Sequence, residues 1–292
     1  MPARRFSRRG SRSSAHFPEA LAQTTNAESD RKFRILVVDD SAANRKLTMW
    51  MLGQLGYVPD AVGNGQEALE AIERVSYDLV LMDCRMPGMD GYEATRQIRR
   101  RQGLGRYVTV VAMTAHALPD DERKRFDAGM DDYLSKPLEI EDLAAVLDRA
   151  RGRQTSPPRR CRPALRVQTS GDRADSAEEP ALDAVIMASL RAQDGLLDGL
   201  IETVMKEVPQ QLQRILASLA KADGENAAIA AHSLKSIAAM FGARRMQNSA
   251  ANVEQMANVR AIENARSEFE QLQKECARVL HELEMERARP VA

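Results

Sequence analysis

Five polar residues of this 292-residue chain each stand at the end of an apolar run. Asp39 and Asp40 follow FRILVV, Asp83 closes DLVLM, Thr114 follows VTVVAM, and Lys136 comes directly after DYLS. Taken singly, any of them is a strand-end or capping residue. Together they form a set with one chemistry. Three carboxylates brought to one place repel unless a divalent cation joins them, and hard oxygen ligands suit Mg²⁺. A lysine ammonium and a threonine hydroxyl beside such a cluster can hold the oxygens of a transferring phosphoryl group. Far along the chain, His232 in AAHSLKSIAAMFGA offers an imidazole nucleophile.

For the five to meet, the apolar runs before them must be neighbouring strands of one sheet. Phe33 to Val38, Asp78 to Met82 and Val108 to Met113 are almost continuously apolar, as strands buried on both faces of a parallel sheet are. Weaker strands lie near 58–62 and 132–135, and helical patterns fill roughly 42–55, 65–74, 91–101, 118–128 and 139–150. Alternation of this kind over residues 33–150 predicts an α/β doubly wound, five-stranded parallel sheet. In such a sheet chemistry collects at the carboxyl ends of the strands, where all five residues fall.

Residues 151–180 break the rhythm with prolines and arginines and read as a flexible linker. Residues 1–32, rich in Ser, Arg and Ala, read as a disordered basic tail. From 181 to 289 no strand-like run occurs, and apolar residues recur at helical spacing. Pro209 suits the first turn of a new helix, Asp223-Gly224 and Gly242 mark breaks, and a bundle of four or five helices follows. At 100° per residue, Leu234, Ile237 and Phe241 lie about 140–200° around the helix from His232. They form the core face, so His232 is expected to face solvent, with Lys235 and Ser236 on its side.

Several function classes are disfavoured. The 42 Lys plus Arg balance 42 Asp plus Glu, so no net charge draws the chain to nucleic acid or membrane. No run approaches the roughly 20 apolar residues of a membrane span, and nothing resembles a secretory signal. Cys84, Cys161 and Cys276 are too scattered for a disulfide framework, which fits a cytoplasmic protein. No glycine-rich nucleotide loop and no basic helix-turn-helix stands out, so neither an ATP-binding kinase domain nor DNA binding is expected.

The stretches LVVDDSAANRKL, LVLMDCRMPGMDGYEATRQIR, VVAMTAHAL and GMDDYLSKPL resemble the receiver domain of two-component response regulators, most closely those of hybrid sensor kinases. The resemblance implies that Asp83 accepts the phosphoryl group by self-catalysed transfer, and that Asp39, Asp40, Asp83 and the backbone carbonyl of Arg85 bind Mg²⁺. It further implies that Lys136 contacts the phosphoryl group, that Thr114 and Tyr133 form a switch pair, that Lys136-Pro137 is cis, and that His116 borders the pocket. AHSLKS followed by FGA resembles the histidine phosphotransfer (HPt) domain, which implies that His232 carries the phosphoryl group and Lys235 assists. Ser236 stands where that family usually has glycine.

The expected protein is thus a two-component phosphorelay carrier between a sensor histidine kinase and a downstream receiver. The alternatives are a phosphorylation-switched binding regulator and the C-terminal part of a hybrid sensor kinase. A flexible linker of this length spans roughly 30 Å, enough for Asp83 to meet His232 of the same chain. Ser236→Trp should then block transfer with His232 still in place, whereas Ser236→Gly should leave it intact at a stability cost of about 0.5–1 kcal/mol. Unimpaired label transfer in the tryptophan variant would show that this face is not where a receiver docks.

Overall fold

A computed structural model describes residues 33–101, 107–114, 119–153, 180–193 and 195–288. The expected tail, nearly all of the expected linker, His116 and Cys161 lie outside the described residues. Five strands, β1 (Ile35–Val38), β2 (Asp60–Val62), β3 (Leu79–Asp83), β4 (Thr109–Thr114) and β5 (Asp132–Ser135), pair in parallel in the order β2-β1-β3-β4-β5. Helices α1 (Ala42–Gln54), α2 (Gly65–Arg74), α3 (Gly91–Arg101), α4 (Pro119–Ala128) and α5 (Ile140–Arg153) alternate with them. The doubly wound α/β class expected from the sequence is the one observed. Helix α5 runs three residues into the expected linker.

Alternation along the strands separates two cores. Ile35, Val37, Leu79, Leu81, Val111 and Met113 pack with Leu143 and Leu147 of α5 on one face. Leu36, Val38, Val80, Met82 and Val110 pack with Leu69 of α2 and Ile98 of α3 on the other. Both faces are buried, which is why these strands are apolar throughout rather than alternately polar. The strand order reverses between β1 and β3, and the carboxyl ends of those two strands carry Asp39, Asp40 and Asp83. Gly91 lets α3 start directly beneath them. A methyl group there would overlap the Asp83 carbonyl oxygen.

The remaining chain is helical: α6 (Ala184–Arg191), α7 (Leu196–Ala220), α8 (Gly224–Met240), α9 (Arg244–Asn258) and α10 (Ile262–Arg287). One expectation is corrected here. Pro209 begins no helix; it lies inside the 25 residues of α7. Proline removes one N–H and crowds the preceding turn, but Leu200, Ile201, Val204, Val208 and Ile215 are fully buried on either side of it. Each such side chain stabilises the bundle by about 1.5–3 kcal/mol, and their sum holds the helix through the defect. Asp223, instead of ending α7, caps α8 by accepting from Asn226 N–H.

The bundle core extends into α1. Ala43 is buried within it, and Leu47 and Trp50 pack against it. Spaced by four and three residues, they form one stripe along α1, while Leu52 on another face belongs to the sheet core. Helix α1 therefore serves two cores. Trp50, the chain's single tryptophan, marks the junction. Leu47→Asp should put a charge into this stripe and open it. The expected reading is a red shift of tryptophan emission with helix content unchanged by circular dichroism; an unchanged spectrum would mean that the stripe does not hold the two parts together.

Candidate functional site

The β1–α1 turn builds the first wall of the site. Ser41 caps α1 by accepting from Asn44 N–H, and its own N–H donates to Asp39 Oδ1 at 3.0 Å. Asn44 Nδ2 donates to the same oxygen at 3.1 Å. Arg45 Nη1 holds the turn from outside, donating to the carbonyls of Asp39 and Asp40. Across the sheet, Asp83 Oδ1 accepts from Arg85 N–H at 3.1 Å. Lys136 Nζ reaches in from the end of β5 and sits 2.7 Å from both Asp39 Oδ2 and Asp83 Oδ2. The Lys136-Pro137 peptide is cis.

Asp39, Asp40 and Asp83 each bring an oxygen within 4.8 Å of the others. Burial first, then the other two carboxylates, push the Asp83 carboxyl up to about 8 against the pull of Lys136. Burial and Asp39 raise Asp40 to about 7. Burial alone would lower Lys136, but Asp39 and Asp83 outweigh it and hold the ammonium protonated. One lysine cannot neutralise three carboxylates. This all-oxygen donor set fits a hard divalent cation.

Thr114 ends β4, is nearly buried, and gives its carbonyl to Lys136 N–H. Tyr133 is not in the carboxylate cluster: its ring lies 4.2 Å from the guanidinium carbon of the buried Arg125.

His232 departs from expectation. It is 4% exposed, not solvent-facing. The helical phase was right about the bundle core, since Leu234, Ile237 and Phe241 are fully buried in it. The opposite face of α8, however, is covered by the sheet domain. Ser233 Oγ donates to Asp40 Oδ2 at 3.0 Å. Ser236 and Met240 line a cavity of about 30 Å³ together with Asp39, Lys136 and Pro137. Lys46 Nζ donates to the Gly199 carbonyl, and Glu207 of α7 accepts from Ala43 N–H at the start of α1. That carboxylate caps a helix of the other domain, where the helix dipole favours it.

Glu254 of α9 was not singled out from the sequence. Its Oε1 accepts from His232 Nδ1 at 2.9 Å, and its Oε2 from Lys235 Nζ at 2.6 Å. Lys235 thus reaches His232 through a carboxylate. Burial would raise Glu254, but its bonds to His232 and Lys235 dominate and hold it down at about 2. An ionised carboxylate only accepts, so Nδ1 carries the hydrogen. Burial keeps the imidazole neutral, lowered to about 4 despite Glu254. Nε2 is left enclosed with no hydrogen-bond partner among the described residues. Its lone pair is free for attack.

Residues 35–148 match the family described as the response regulator receiver domain, and residues 199–282 match the Hpt domain. The chain is 42% identical over 130 residues to the sensor histidine kinase GacS of Pseudomonas protegens, covering 44% of this chain and 14% of that protein. It is 31% identical over 252 residues to the virulence sensor protein BvgS of Bordetella parapertussis, covering 84% of this chain and 20% of that one. The chain thus spans a fifth or less of the length of these two relatives. A solved receiver domain of the sensor histidine kinase PA1611 from Pseudomonas aeruginosa, holding magnesium in its active-site cleft, is 43% identical, with 42% of this chain and 99% of that one covered and a TM-score of 0.39. No described helix is long and apolar enough to cross a membrane.

The two raised carboxyls have a measurable consequence. Between their ordinary value of 3.8 and about 7–8 the folded, metal-free protein keeps protons that the unfolded chain has released. Its stability therefore falls as pH rises through that window. A cation at the cluster restores the ionised form. Adding Mg²⁺ at pH 7 in weak buffer should release about one proton per chain and remove most of that pH dependence. Asp40→Asn should lower the release; equal release from the variant would locate the cation elsewhere.

Proposed function

In a chain that carries a response regulator receiver domain at 35–148 and an Hpt domain at 199–282, we propose that Asp83 and His232 exchange a phosphoryl group directly, within one molecule, as two stations of a two-component phosphorelay. One observation carries this reading. The Nε2 of His232 is buried and unpartnered among the described residues, and its imidazole lies within electrostatic reach of Lys136, whose ammonium rests on Asp83. An imidazole kept neutral, oriented through Nδ1 and shielded from water is arranged as a nucleophile.

In the transfer from aspartate, the Nε2 lone pair forms the N–P bond as the O–P bond to Asp83 breaks and its electron pair returns to the carboxylate. The hydrogen on Nδ1 stays in place. The imidazole becomes positively charged, and the Glu254 carboxylate stabilises that charge. Lys136 follows the phosphoryl oxygens and then rests on the freed Asp83. The reverse transfer uses the same contacts. A divalent cation held by Asp39, Asp40, Asp83 and the backbone carbonyl of Arg85 would neutralise the phosphoryl oxygens. The alternative of a purely binding regulator leaves the enclosed Nε2 without a task.

The switch pair is Thr114 and Tyr133, with Thr114 at the strand end and Tyr133 held under Arg125. A sensor kinase upstream and a further receiver downstream are the partners this chemistry requires. The deciding experiment loads the 292-residue chain at Asp83 with radiolabelled acetyl phosphate and follows label onto His232. In the wild type the rate should be independent of protein concentration. A mixture of Asp83→Asn and His232→Gln chains should lag, and lag further on dilution. Equal, concentration-dependent rates, or no label on His232, would overturn direct transfer within the chain.

A further inference from the structure

Arg85 stands two residues beyond Asp83, and its side chain leaves the receiver. Its Nη1 lies 2.9 Å from Glu254 Oε1, the same oxygen that accepts from His232 Nδ1 at 2.9 Å. Arg85 is half-buried, whereas the Glu254 side chain is 6% exposed. Of the three groups bonded to this carboxylate, His232 and Lys235 belong to the bundle and are present whether or not a receiver docks. Arg85 arrives only with the receiver.

We propose that the Arg85–Glu254 ion pair is a recognition clasp, by which this histidine accepts a receiver carrying a cation two positions beyond its acceptor aspartate and by which docking fixes the imidazole for transfer. The inference rests on the direct transfer proposed above and adds to it what selects the partner. Docking strips water from the Glu254 oxygen that orients His232. A carboxylate oxygen buried without a compensating donor is costly. Arg85 supplies that donor. A receiver with a neutral side chain at this place buries the oxygen poorly satisfied, and one with an acidic side chain sets two carboxylates against each other. Because Lys235 pins the other oxygen, the carboxylate cannot turn away to escape. The clasp therefore discriminates by charge at a point one bond from the reacting ring, where misorientation slows transfer most.

The test measures single-turnover transfer from labelled Asp83 to His232 in the 292-residue chain, with label on His232 expressed relative to label on Asp83. Arg85→Gln should slow transfer roughly tenfold and Arg85→Glu roughly a hundredfold, the scale of close charge pairs across interfaces. Arg85→Lys should recover most of the rate, which a merely structural arginine would not predict. Glu254→Gln should also be slow, and adding Arg85→Gln to it should cost almost nothing further, because the partner is already gone. If the two substitutions multiply independently, or if lysine performs no better than glutamine, the clasp is wrong while direct transfer stands. If wild-type protein moves no label to His232, direct transfer itself fails and the clasp with it.

Discussion

Three carboxylates gathered at the switch point of a parallel sheet repel one another, and most of what surrounds them here answers that repulsion. Lys136 divides its ammonium between Asp39 and Asp83. Backbone and side-chain N–H groups of Ser41, Asn44 and Arg85 take further lone pairs. Ser233 brings a hydroxyl from another domain to Asp40. The crowding is not fully relieved, and the raised carboxyls of Asp40 and Asp83 record the remainder. That residue of unbalanced charge is what makes the pocket receptive to cations, metal or protein-borne, while a phosphoryl group needs them in place before it can enter.

The opposite arrangement prevails a few ångströms away. Glu254 is well supplied with donors, three groups on two oxygens, and is held ionised, down at about 2. Carboxyls raised by burial and crowding on one side and a carboxylate held ionised on the other give the docked pair an electrostatic polarity. In the proposed transfer, charge moving between aspartate and imidazole would meet a stabilising group at both ends.

How much of this was legible follows from the range of each signal. Strand ends were readable because a two-sided buried strand is apolar to its last residue, so the first polar residue announces the sheet edge. That sufficed for Asp39, Asp40, Asp83, Thr114 and Lys136. Motifs AHSLKS and FGA pointed to His232, and helical phase gave its core-facing neighbours, but phase describes one helix and knows nothing of what another domain lays upon it. The burial of His232 was therefore out of reach. So was Glu254, 22 residues from His232 on the next helix, a separation that only the turn between α8 and α9 converts into contact. Pro209 misled for a related reason: local propensity ends the helix, and long-range burial along α7 overrides it.

Helix α1 carries the Asp39–Asp40 turn at its start and the Ala43, Leu47, Trp50 stripe along its flank. That flank is thus covered, in this molecule, by the chain's own bundle. Any outside protein that used this flank would have to displace it. Under the proposed relay, self-occupancy would insulate the chain, since stray kinases and foreign carriers would meet a stripe that is already covered. Signal fidelity would then rest on three apolar side chains as much as on the residues proposed to hold phosphate.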